Sequence, residues 1–122
     1  ILGEAGRFNE PLPDVAITRE SYRAYPENPL AQDMLLVVEV SDTTLRADLS
    51  AKARLYAQAE VLEYWVLDVE NRRMIVHRAL TPEGYEAITA WEVEESISPL
   101  SLPQSLFPIE SLFEDELNEP EA

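Results

Sequence analysis

At 122 residues the chain has room for one domain and one core. Hydrophobic residues make up 46% and charged residues 27%, the balance of a globular protein, and no apolar run is long enough to span a bilayer. There is no cysteine, which excludes disulfides, thiolate chemistry and cysteine-ligated zinc or iron–sulfur centres; His77 is the single histidine, which excludes a zinc site built on two or three imidazoles.

Any metal would therefore be a hard, oxygen-preferring cation held by carboxylates. The lack of cysteine fits a reducing cytoplasm, the expected location. The opening Ile1-Leu2-Gly3-Glu4 shows no targeting segment, and without an initiator Met the chain is expected to be cut or incomplete at this end. The formal net charge is −15. Glu114, Asp115, Glu116, Glu119 and Glu121 form an acidic tail, and removing those five charges still leaves −10. Nucleic-acid binders carry a basic patch, so the charge argues against tight DNA binding by this chain alone.

In chain order, residues 1–12 read as a loop or frayed edge. Pro13 ends that segment, and Asp14-Val15-Ala16-Ile17 reads as a short strand. Ser21 to Asp33, with Pro26, Asn28 and Pro29, reads as a loop with a helical turn near Ser21 to Tyr25. Met34 to Ser41 (MLLVVEVS) has the Val- and Leu-rich pattern of a strand buried on both faces. Glu39 sits inside it, and a carboxylate on a core strand costs several kcal/mol, roughly, unless something pairs with it.

A polar turn, Ser41 to Thr44, leads into one helix from about Leu45–Asp48 to Glu60, with Leu45, Leu49, Ala53 and Tyr56 at helical spacing. Lys52, the only lysine, lies on it. Glu63 to Val69 reads as a second core strand, Arg72 to Ala79 as a strand with one wetter face, and Tyr85 to Trp91 as a further strand. The proline-rich remainder reads as an extended wrap ending in a short turn. This order predicts an α/β (α+β) domain, a mixed sheet with a crossover helix, spanning residues 1–113 and followed by an acidic tail at 114–122.

Three residues have the chemistry of phosphodiester hydrolysis: Asp14 at a strand start, Glu39 on the central strand and Lys52 on the helix. Two carboxylates brought together repel, so one must protonate or a cation must bind between them. Magnesium takes one or two protein carboxylates and completes its octahedron with water and phosphate oxygens. A lysine ammonium is a compact point charge suited to orienting the nucleophile or stabilising a developing oxyanion.

The ordered series Pro13-Asp14-Val15-Ala16-Ile17, Leu36-Val37-Val38-Glu39-Val40-Ser41, Asp48-Leu49-Ser50-Ala51-Lys52 with Tyr56, and Glu63-Tyr64-Trp65-Val66-Leu67-Asp68 resembles the PD-(D/E)XK nuclease superfamily, and more closely its Uma-type restriction-endonuclease family. The resemblance runs from about Pro13 to Phe113. It implies a restriction-endonuclease-like fold and a Mg2+- or Mn2+-dependent endonuclease that hydrolyses phosphodiester bonds of DNA. Apart from the resemblance, a homodimer is a further expected partner state, and no membrane partner is expected. Asp14 and Glu39 would be metal ligands, with the Val40 carbonyl as a third, and Asp14, Glu39 and Lys52 would be catalytic. Two departures stand out. The strand lysine expected two residues after Glu39 is Ser41, and the lysine has moved to the helix as Lys52. A helix and strand usually precede the Pro-Asp segment, and with twelve residues before Pro13 that N-terminal part of the fold is expected to be missing.

Other readings compete. Asp14 after a proline also suits a turn, and Glu39 could be a structural acid with a partner such as arginine. Asp48 and Lys52, one helical turn apart, could form a surface ion pair. Tyr56 and Trp65 read as core, His77 as surface or half-buried, Asp68 as a turn acid, and the tail as solvated. The alternative to a nuclease is a non-catalytic interaction module of the same fold, favoured by the negative charge and by the start expected to be missing.

Overall fold

The computed structural model describes residues 14–20 and 33–117, with side chains as far as 113. The loop expected at 1–12, most of Ser21 to Asp33 and the end of the acidic stretch lie outside the described residues. A five-stranded sheet runs in the order β1 (Val15–Thr18), β2 (Met34–Ser41), β3 (Glu63–Asp68), β4 (Arg73–Thr81) and β5 (Gly84–Glu92). Only β2 and β3 pair in parallel; the other neighbours are antiparallel. A parallel pair needs a crossover, and two short helices, α1 (Leu45–Leu49) and α2 (Ala51–Gln58), supply it. A small β6 (Ser96–Ile97) and β7 (Phe107–Pro108) pair, then α3 (Ile109–Leu117), complete the α+β architecture.

Each face of the sheet is covered, as the uninterrupted apolar run of β2 requires. Val37, Tyr64, Val66 and Ile75 pack beneath Tyr56 and the helices on one face. On the other, Leu36, Val38, Trp65, Leu67 and Val76 pack under Ile97, Ile109 and Phe113 of the C-terminal wrap. Both Tyr64 and Trp65 are buried, and every residue of β3 is. The same two-sided cover corrects the strand expected to be wet on one face: Met74 to His77 of β4 are all buried.

His77 is thus a core residue, 1% exposed, where the alternating pattern suggested a surface or half-buried one. It is wedged between Tyr64 and Tyr85, with ring centroids 5.0 and 5.6 Å away, and its Nδ1 lies 3.1 Å from the Tyr64 carbonyl. Burial lowers its pKa, against the opposing effect of hydrogen bonds to the Tyr64 and Ile75 backbone. An imidazole that stays neutral when folded but takes a proton when unfolded makes the unfolded chain bind more protons below about pH 6.5. Stability should therefore fall as pH drops from that value toward the lowered folded pKa, by at most about 1.4 kcal/mol per pH unit from this group. Urea unfolding at pH 7 and pH 5.5 should show a shallower acid loss in His77→Phe than in the wild type.

The single expected helix is broken at Ser50 (φ −121°, ψ −80°). The Ser50 hydroxyl donates to the Arg46 carbonyl at 2.6 Å, the back-bonding that bends helices. At the far end of α2, Glu60 adopts φ 65° while the Glu60 and Val61 N–H groups donate to the Ala57 and Tyr56 carbonyls. That is a Schellman termination with Glu where Gly is usual. Glu60→Gly removes the Cβ penalty at the cost of greater unfolded-chain freedom, and should raise stability by about 0.5–1 kcal/mol, seen as a higher melting temperature. The expected short terminal turn is instead the nine-residue α3, which continues into the first four residues of the acidic stretch. Among the described residues, no helix is long and apolar enough to cross a membrane.

Candidate active site

The site is built where β2 passes beneath the start of α2. Asp48, Lys52 and Tyr56 recur every fourth residue, so they share one side of the crossover helices despite the break at Ser50. That side faces β2. Glu39 is 5% exposed there; its Oε2 accepts a hydrogen bond from the Tyr56 hydroxyl at 2.9 Å, and its Oε1 lies 3.5 Å from Lys52 Nζ. Lys52 Nζ also lies 3.4 Å from Asp48 Oδ1. The other Asp48 oxygen accepts from Thr44 Oγ1 at 2.8 Å, and the Asp48 carbonyl accepts from the Tyr64 hydroxyl at 2.8 Å, which ties the turn to the floor of the sheet.

Asp14 comes in from the neighbouring strand. Val15 stands opposite Val38, which puts Asp14, one residue earlier, beside Glu39 and on the same face of the sheet. The exposed Asp14 carboxylate accepts from the Val40 N–H at 2.7 Å. Backbone N–H and C=O groups of one strand residue point to the same edge, so the Val40 carbonyl is directed toward that edge too.

Burial raises the Glu39 pKa above the usual carboxylate value, and the nearby Asp14 and Asp48 charges add to this; Lys52 and the Tyr56 hydroxyl oppose it without cancelling it. For Lys52, burial disfavours the charge, but Glu39 and Asp48 together outweigh it and hold the ammonium above its usual pKa. Lys52 is therefore charged at neutral pH. It can donate hydrogen bonds or stabilise negative charge, and it cannot serve as a general base there.

Of the residues singled out in the sequence, Asp14, Glu39, Val40 and Lys52 come together at this end of β2. Asp48 is not a surface acid: it is 2% exposed, because the helix side that carries it packs on the sheet. Tyr56 is core, as expected, but its hydroxyl also holds the carboxylate of Glu39. Asp68 does bind its own turn, accepting from Asn71 N–H and Nδ2 and from Arg73 Nε. The i, i+4 series Asp48-Lys52-Tyr56 was the signal for the two added members. Ser41, two residues past Glu39 on the same face, is fully buried, and its hydroxyl finds no partner among the described residues. An open groove of about 520 Å³ at the other end of α2, lined by Ala57, Gln58, Glu60, Leu80, Thr81 and Pro82, takes no part.

A hard divalent cation is compatible with this donor set. Among the described residues no three carboxylate, imidazole or thiol groups gather to hold a metal. The two carboxylates Asp14 and Glu39 instead match the sparse protein ligation of magnesium, with water and substrate oxygens completing the shell. The buried Ser41 hydroxyl, without a partner among the described residues, marks the same end of the strand as polar.

A family model described as "Uma2: Putative restriction endonuclease" matches residues 4–110. The chain belongs to the Uma2 family. A search of curated proteins found no match. The mixed five-stranded sheet with its crossover helices is consistent with the restriction-endonuclease-like fold that the Uma2 assignment carries. Family membership suggests nuclease activity.

Proposed function

We propose that this chain is a magnesium-dependent endonuclease that hydrolyses phosphodiester bonds of DNA. The observation that carries the proposal is the buried Glu39 carboxylate, set on the central strand between an ammonium 3.5 Å away and the neighbouring Asp14. Asp14 and Glu39 would hold the cation, with the Val40 carbonyl as a third oxygen. When bound, Mg2+ or Mn2+ supplies a water of lowered pKa and neutralises charge on the phosphate. Lys52, held charged by its two acids, would orient the attacking water or stabilise the negative charge that builds on the phosphoryl oxygens. The absence of cysteine supports a cytoplasmic setting.

The formal charge of −15 favours a second reading, a non-catalytic interaction module on the same fold. Repulsion of a phosphate backbone grows as salt falls, so a nuclease of this composition should work better at moderate than at low ionic strength. The test is plasmid cleavage with Mg2+ or Mn2+, with and without a chelator, alongside calorimetric titration of the cation. Chelator-sensitive cleavage supports the nuclease; no cation binding and no cleavage would favour the module.

A further inference from the structure

The Lys52 ammonium is shared almost equally between two carboxylates. Asp48 Oδ1 is 3.4 Å away and Glu39 Oε1 3.5 Å, both longer than the 2.7–2.9 Å, roughly, of a full charge-assisted hydrogen bond. The two acids are held in the same manner, since each has its second oxygen fixed by a hydroxyl: Tyr56 for Glu39, Thr44 for Asp48. Asp48 is 2% exposed, and among the described residues its Oδ1 makes no hydrogen bond and meets the Lys52 ammonium as an ion pair at 3.4 Å.

This arrangement matters only if Glu39 has another task. A lysine committed to Glu39 would compete with any cation that needs the same carboxylate, because two positive charges at one acceptor repel. We propose that Asp48 is a positioning residue that draws the Lys52 ammonium off Glu39 and so leaves the Glu39 carboxylate available to a divalent cation. The inference rests on the reading of Asp14 and Glu39 as a cation site. In this arrangement Asp48 is not a cation ligand and acts through Lys52, its ion-pair partner.

A double-mutant cycle read by calorimetric titration of the chain with Mn2+ tests this. Asp48→Asn keeps the shape and the Thr44 hydrogen bond but removes the charge, so Lys52 turns fully to Glu39; Mn2+ affinity should drop about threefold to tenfold. Lys52→Met in the wild-type background should change affinity by less than about twofold, because Asp48 already restrains the ammonium. In the Lys52→Met background, Asp48→Asn should have almost no effect, which a merely structural role for Asp48 would not produce. Asp48→Ser carries the same test should the asparagine variant prove unstable. Equal losses on Asp48→Asn with and without Lys52 would overturn the positioning role while leaving the cation site intact. No Mn2+ binding by the wild type would overturn both.

Discussion

Glu39→Ala and Lys52→Ala should each lower metal-dependent DNA cleavage by about 10²–10³-fold, the range for removing one preorganised electrostatic contact at a reacting group. The two losses should differ in kind. Glu39→Ala removes a cation ligand, so its defect should appear as weaker Mn2+ binding and should recover partly when the cation is raised. Lys52→Ala leaves both carboxylates in place, so cation affinity should stay nearly intact while the rate at saturating metal falls. Stability should move the other way from activity. Burial is the main influence raising the Glu39 pKa, which means that the charged carboxylate is unfavourable where it sits. Glu39→Gln, which removes the charge but keeps an acceptor for the Tyr56 hydroxyl, should leave the melting temperature unchanged or higher, the trade expected where a fold carries a strained group for function. Cleavage by Lys52→Ala at the wild-type rate would remove the lysine from the mechanism, and a collapsed melting temperature in Glu39→Gln would make Glu39 a structural acid.

Where the chain's periodicity was strong, the fold was legible. The bounds expected for the central strand, Met34 to Ser41, are those observed, because an apolar run flanked by polar residues has little freedom in where it starts and stops. The break at Ser50 was not legible, since a serine inside an alanine-rich helix gives no hint whether its hydroxyl will fold back on the chain. Nor was the burial of His77. Alternation along β4 suggested one wet face, but that inference holds only for a sheet covered on one side, and here the helices and the C-terminal wrap cover both. The site was read through its acids and its one lysine, which stand out because they break an apolar pattern. Tyr56 and Asp48 were harder to see. A tyrosine on a helix stripe satisfies the core pattern whether or not its hydroxyl has a task, and an acid four residues before a lysine looks like a surface pair until the sheet beneath is known.

The largest expected loss of stability lies away from this site, at Glu63. The sequence places it only at a strand start, yet it is fully buried and binds three donors. Its Oε2 accepts from Trp65 Nε1 and from Arg78 Nε, each at 2.7 Å, and its Oε1 accepts from the Leu100 N–H at 2.8 Å. Arg78 in turn donates to the Ser98 carbonyl at 2.7 Å. One carboxylate thus joins β3, β4 and the wrap that roofs the second core, where Ile97, Ile109 and Phe113 pack. A buried pair adds little over an apolar substitute, but breaking one by removing a single partner strands the other charge, at about 3–5 kcal/mol. Glu63→Ala also leaves the indole N–H and the Leu100 amide without an acceptor, so the total should reach about 5 kcal/mol, a large share of a small domain's stability. Glu63→Gln keeps an acceptor and the shape but loses the ion pair, and should cost about half as much. Urea unfolding followed by tryptophan fluorescence would give both values. Hydrogen exchange supplies the local check, since in Glu63→Gln the Leu100 amide should lose protection before the amides of β3 do. A cost below about 1 kcal/mol for Glu63→Ala would mean that the wrap is held by its apolar contacts and that the carboxylate merely accompanies them.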